Sequence, residues 1–139
     1  MNLICPGLYQ GDLNSVGQAE DYRITHVLSL CPQRVNLKSG IKHLDLPISD
    51  WGLPQPIGKN LENMFDFIDD GINNDGNVLV HCFAGMNRSV SICCAYLMYK
   101  HDLTWDQAME KIKTVCVKAD TSKELQNDIV KYFKKLEKY

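Results

Sequence analysis

One stretch, His81-Cys82-Phe83-Ala84-Gly85-Met86-Asn87-Arg88-Ser89, constrains this chain more than any other. It follows the apolar run Val78-Leu79-Val80 and leads into a second apolar run from Val90 to Tyr99, long enough for a buried helix. The order is therefore strand, loop, helix, with Cys82 opening the loop and Arg88 closing it. A loop at a helix N-terminus aims several backbone N–H groups into one concavity and adds the positive end of the helix dipole, which makes an anion site. A cysteine at its floor is expected to ionise more readily than a free thiol, because helix N-termini and nearby cations stabilise the thiolate. Arg88 supplies a planar fork that matches two oxygens of a phosphate. Nucleophile, anion cradle and charge clamp thus fall in one short segment, a set suited to phosphoryl transfer to sulfur.

A Cys and an Arg at this spacing are a weak signal alone in a chain with 6 cysteines. His81 before them, Gly85 between, Ser89 after and the strand–loop–helix frame give the motif its weight. The plain alternative is a buried structural cysteine beside a helix-capping loop.

The 139 residues fit one domain with room for a substantial core, and a net charge of −2 leaves no polybasic footprint for nucleic acid or an anionic membrane. Lys131, Lys134, Lys135 and Lys138 read as a solvated helix face. No signal peptide and no apolar run of bilayer length is visible, Asn2 is not a myristoylation site, and Leu-Glu-Lys-Tyr is not a prenylation signal. Adjacent Cys93 and Cys94 inside an apolar helical pattern read as reduced core residues. The expected location is therefore reducing, cytoplasm or nucleus.

Short β-like runs at 24–30, 41–46 and 78–81 alternate with helical patterns, which favours an α/β layered domain. Leu61, Met64, Phe65, Ile68 and Ile72 mark one face of a helix over about 58–73, which the Asn73-Asn74-Asp75-Gly76 turn ends. Thr104-Trp105-Asp106-Gln107 is a capping box for a helix over 105–115. Thr121-Ser122-Lys123-Glu124 reads as another, opening a helix with Leu125, Ile129, Phe133 and Leu136 on its core face.

On the His81–Ser89 motif the chain resembles the dual-specificity (cysteine-dependent) protein phosphatases, whose signature is His-Cys-x5-Arg-Ser/Thr. Leu8-Tyr9-Gln10-Gly11 is similar to the family's first strand, Ile24-Thr25-His26-Val27-Leu28-Ser29-Leu30 to its next, and Ala95-Tyr96-Leu97-Met98 to the helix after its phosphate loop. The resemblance implies that residues 1–139 form one catalytic domain. Its fold would be α/β, with a central mostly parallel sheet flanked by helices and the phosphate loop between a strand and a buried helix. The implied activity is hydrolysis of phosphotyrosine and phosphoserine/threonine monoesters in a phosphorylated protein, through a cysteinyl-phosphate, with no metal and no cofactor.

The site residues it implies are Cys82 as nucleophile, Arg88 with the loop Phe83, Ala84, Gly85, Met86 and Asn87 around the phosphate, and Ser89 as a hydrogen-bond donor to sulfur. His81 would orient the loop. A leaving alcohol needs a proton, and a carboxylic acid on a separate loop is the usual source. Asp50 sits in the Pro- and Gly-punctuated segment Leu46–Gly52, at the interval before Cys82 that resembles the family's acid; Asp45, on the strand, is second choice. Cys31 ends the strand 24–30. Phosphatases of regenerating liver and related lipid phosphatases use a cysteine in a similar place, which implies Cys31 as a redox partner for Cys82. His26, His43 and His101 have no metal-ligand spacing.

The chain departs from the family pattern at Asn87, where Ser is usual, and over Val115–Leu125, so the last helix is expected to pack in its own way. The loop carries no Lys, which disfavours inositol phospholipids, and the rim lacks the basic charge that an RNA 5′-triphosphate calls for. A phosphoglucan substrate would call for a carbohydrate-binding module. Trp51 and Phe83 either line the pocket or pack internally. A phosphoprotein-binding module of the same fold is the alternative from another class, and its mark would be loss of the nucleophile or the acid.

Overall fold

The computed structural model describes residues 1–137. Strands β1 (Asn2–Cys5), β2 (Leu8–Gly11), β3 (His26–Ser29), β4 (Lys42–Asp45) and β5 (Val78–His81) form one sheet in the order β1-β2-β5-β3-β4. β2, β5, β3 and β4 run parallel, and β1 is antiparallel to β2. β5 lies in the middle and is buried at every residue, as expected of a strand covered on both faces, which is why its sequence is apolar without alternation. β1 was not among the expected strands: four residues are too few to show a period, and only the Pro6-Gly7 turn, with Gly7 at φ +86°, betrays the hairpin.

The helices are α1 (Ile57–Asn73), α2 (Arg88–His101), α3 (Trp105–Lys113) and α4 (Lys123–Glu137). They cover the face of the sheet that carries Leu8, Leu28, Val78 and Val80, and with it they enclose the main core. The other face, with Val27 and Leu79, is covered by a 3-10 helix (Leu13–Gln18) and the turn around Ala19 and Ile24. Each fully buried Leu, Ile, Phe or Met contributes roughly 1.5–3 kcal/mol of transfer free energy, so the helical layer supplies most of the stabilisation.

α1 buries Leu61, Met64, Phe65 and Ile68, with Ile72 partly covered on the same stripe. It ends where the Gly76 N–H donates to the Gly71 carbonyl at 2.8 Å and Asp75 turns left-handed at φ +60°. α3 opens on the expected capping box, with both Thr104–Gln107 hydrogen bonds formed, and ends at Lys113 rather than 115. α4 departs from expectation in two ways. Its cap is Ser122, one residue later than Thr121: Ser122 Oγ accepts from the Leu125 N–H at 3.3 Å. Leu125 and Ile129 are buried and Phe133 partly so, but Leu136 is 53 % exposed because the last turn runs past the body of the core. Lys131, Lys134 and Lys135 face solvent as expected; Lys138 lies outside the described residues. Cys93 and Cys94 are buried, unpaired core thiols, and burial pushes both up in pKa. No helix among the described residues is long and apolar enough to cross a membrane.

Candidate active site

Parallel strands bring their C-terminal ends to one edge, and ligands of such sheets sit there. Here that edge gathers Asp12 after β2, Cys31 after β3, the Ile48–Leu53 segment after β4 and Cys82 after β5. The Cys82–Arg88 loop closes over the end of β5 and feeds α2.

Cys82 is 2 % exposed and lies at the floor of an open hollow of about 460 Å³. Its Sγ accepts from the Gly85 N–H at 3.3 Å and is 3.2 Å from Ser89 Oγ. Gly85 has φ +71°, and a Cβ there would crowd the backbone of Gly11 and Asp12, so the loop requires glycine on both counts. Asn87 occupies the N-cap position of α2 yet makes no capping hydrogen bond with its side chain. The first N–H groups of α2 are thereby not capped by the Asn oxygen.

The Asn87 side chain points across the hollow instead. Its Nδ2 donates to Asp50 Oδ1 at 2.8 Å, and its Oδ1 accepts from the Ser122 N–H at 2.7 Å. Ser122 Oγ closes the ring by donating to the Asp50 carbonyl at 2.8 Å. The amide orientation follows from its partners, since a carboxylate only accepts and an N–H only donates. Asp50 is also 3.3 Å from Arg88 Nε, while Arg88 Nη1 donates to the Ile48 carbonyl at 3.4 Å. Further along the same segment, the Leu53 N–H donates to Asp128 of α4 at 2.9 Å.

Of the expected site residues, Cys82, Ala84, Met86, Asn87, Arg88 and Asp50 line the hollow together. Ser89 lies beneath it against the sulfur. Phe83 turns away, exposed beside the 3-10 helix, with its carbonyl accepting from the Leu13 N–H at 3.1 Å. Trp51, left open between pocket and packing, stands on the lip, 78 % exposed. Asp45 lies exposed on the edge strand β4 and does not line the hollow.

His81 is fully buried. Its Nε2 is 2.6 Å from Ser29 Oγ, which lies 2.8 Å from Nε2 of the exposed His43, and its Nδ1 is 3.3 Å from the Cys82 carbonyl. A carbonyl only accepts, so Nδ1 carries the hydrogen and Ser29 donates to Nε2. Burial holds the His81 imidazole below the ordinary histidine range, with His43 acting in the same direction. Cys31 is fully buried just past β3, and burial pushes its thiol up against smaller opposing effects of the Gln33 backbone and Arg88.

Four contributors were missed. Asp120 and Ser122 come from the divergent 115–125 segment: the Asp120 N–H donates to the Met86 carbonyl at 2.9 Å, and Ser122 joins Asn87 as above. The signal was present, because the two departures from the family pattern, at Asn87 and at this segment, bond to each other. Cys116, in the same segment, sets its thiol 3.8 Å from the Gly85 carbonyl. Gln10 lies directly under the loop, and its signal was a glutamine at an inward position of a strand.

A buried thiol that accepts from a loop N–H shares one hollow with a guanidinium and a carboxylate at the C-terminal edge of a mainly parallel sheet. The chain belongs to the family described as dual specificity phosphatase, catalytic domain, which matches residues 8–137. Human dual specificity protein phosphatase 15 is 38% identical over 114 residues, covering 79% of this chain and 38% of its own length. Human dual specificity protein phosphatase 22 is 32% identical over 116 residues, covering 81% of this chain and 62% of its own. The chain thus spans less than two thirds of these curated relatives. A crystal structure of DUSP15 superposes with a TM-score of 0.83 at 30% identity, over 99% of this chain and 95% of that one. Human DUSP28 superposes with a TM-score of 0.88 over 99% of both chains at 21% identity, a likeness of fold alone.

Proposed function

We propose that residues 1–139 are the catalytic domain of a cysteine-dependent phosphatase that hydrolyses phosphotyrosine and phosphoserine/threonine in proteins of the cytoplasm or nucleus. The observation that carries this reading is one hollow holding the Cys82 sulfur, the Arg88 guanidinium and the Asp50 carboxyl at mutually useful positions. Family membership and the names of its relatives support it.

In the first step a substrate phosphate draws Arg88 from Asp50 to its own equatorial oxygens, and the loop amides share the charge. The Cys82 thiolate attacks phosphorus, the bond to the substrate oxygen breaks, and Asp50, still held by Asn87, gives that oxygen its proton. In the second step Asp50 takes a proton from a water that attacks the cysteinyl-phosphate. The P–S bond breaks, its electron pair returns to Sγ, and Ser89 donates a hydrogen bond to the re-forming thiolate. His81 fixes the Cys82 carbonyl from behind. Cys31 serves as redox partner: peroxide oxidises Cys82 to the sulfenic acid, and the Cys31 thiol displaces water from it to form the disulfide.

The test is hydrolysis of p-nitrophenyl phosphate with EDTA present. Turnover by the wild type, abolished in Cys82→Ser and reduced about 10²- to 10⁴-fold in Asp50→Ala, is the expected result. Wild-type phosphopeptide binding without turnover would replace the enzyme by a binding module.

A further inference from the structure

Gln10 is a polar side chain with no exposed surface, on the inward face of β2 that it shares with Leu8 and that α2 covers. Burying an amide is unfavourable unless each of its groups finds a partner, and all of them do. Gln10 Nε2 donates to the Gly85 carbonyl at 2.9 Å and to Ser89 Oγ at 2.8 Å, while its Oε1 accepts from Asn2 Nδ2 at 2.9 Å. The orientation is not arbitrary. The Gly85 carbonyl can only accept, so the end of the side chain facing it is the NH₂.

The position of the Gln10 NH₂ fixes the role of the Ser89 hydroxyl. A hydroxyl has one hydrogen and two lone pairs. Gln10 occupies one lone pair, so at that contact Ser89 is the acceptor and its own hydrogen must go elsewhere. Two acceptors are in reach, Cys82 Sγ at 3.2 Å and the Gly11 carbonyl at 3.3 Å. As the P–S bond of the cysteinyl-phosphate breaks, negative charge builds on Sγ, and the charged acceptor takes the hydrogen. Gln10 also pins the Gly85 carbonyl, one residue's width from the Gly85 N–H that donates to the same sulfur.

We propose that Gln10 is a positioning residue for the second chemical step. It aims the Ser89 hydroxyl at Cys82 Sγ and holds the Gly85 peptide in place, so that sulfur departs from phosphorus as a hydrogen-bonded thiolate. The proposal rests on the phosphatase reading above and deepens it: Gln10 touches neither substrate nor sulfur and acts through Ser89 and Gly85.

Rapid mixing of p-nitrophenyl phosphate with the full chain separates the two steps, because nitrophenolate leaves in the first. Gln10→Leu is expected to keep the rate of the first release while steady turnover falls about 10- to 100-fold, the worth of one hydrogen bond to a charged group, so that a burst of product precedes slow turnover. Ser89→Ala should show the same split, and the double variant should be no slower than the worse single one. Gln10→Met, which keeps the length of the side chain, guards against a collapsed strand and should behave as Gln10→Leu does. First release and steady turnover falling together in both Gln10 variants would overturn the proposal, as would deficits that multiply in the double variant. Ser89→Ala without a burst also overturns it while leaving the phosphatase reading intact; a wild type without turnover overturns both.

Discussion

Asn87 holds Asp50: the Asn87 amide donates to Oδ1 of the carboxyl at 2.8 Å, from the residue directly before Arg88. The loops that carry Asp50 and Cys82 are thus tied together through the Asn87 side chain, which Ser122 steadies from behind.

Replacing Asn87 by Ala should therefore damage proton donation more than phosphate binding. A poor leaving group needs the proton and a nitrophenolate needs it little, so alkyl phosphates and phosphoserine peptides should lose about tenfold more kcat/KM than p-nitrophenyl phosphate does. Equal losses on both substrates would show that Asn87 serves the loop and not the acid.

The buried His81 makes stability depend on pH. Its folded-state pKa is lowered by burial first and by His43 second, against the opposing pull of the Cys82 carbonyl, Asp12 and Asp45. The unfolded chain takes up a proton near pH 6.5 and the folded one does so only further down, so stability falls as pH drops from about 6.5 toward the folded value. Urea midpoints between about pH 7 and about pH 5.5 should decline in the wild type and decline less in His81→Gln. The two carboxylates held low, Asp12 and Asp70, act only at more acid pH. Identical slopes for the two proteins would remove His81 as the cause.

Gly71 lies where α1 crosses the start of β5, and a methyl there would run into Val78 and press on the His26 ring. Overpacking costs about 1–3 kcal/mol, against about 1 kcal/mol gained from helix propensity on replacing Gly by Ala. Gly71→Ala should accordingly melt roughly 3–5 °C below the wild type. An unchanged or raised melting temperature would mean that the strand yields at no cost.

The buried thiols around Cys82 include Cys31, just past β3, and Cys116, in the segment before α4. Mild peroxide followed by peptide mapping should recover Cys82 joined to Cys31, and Cys31→Ser should drive Cys82 to irreversible higher oxides. Recovery of Cys82 joined to Cys116, or of Cys31 free beside over-oxidised Cys82, would discard Cys31 as the partner.

What could be read from the residues was local. The strand–loop–helix around Cys82 announces itself because its signals fall within about twenty consecutive positions, and the α3 cap needs only Thr104 and Gln107. What escaped was set by distant pairing. Gln10 meets Ser89 across 79 positions and Ser122 meets Asn87 across 35, and no periodicity reports such contacts. The α4 cap slipped by one residue because Ser122, not Thr121, lies where it can also bond Asp50. Leu136 fits the helical stripe yet lies exposed, since a period tells which face is apolar but not where the neighbouring core stops.

The chain has 2 tryptophans, and the fold places them in opposite surroundings. Trp105 is sealed in the core at the start of α3, while Trp51 stands in water on the lip beside Asp50. Their indole emission therefore differs in colour and in access to quenchers. Iodide should extinguish only the Trp51 component, and an anion settling on Arg88 should alter that component alone. The molecule carries at the mouth of its hollow an optical reporter of occupancy, with a second indole as internal standard.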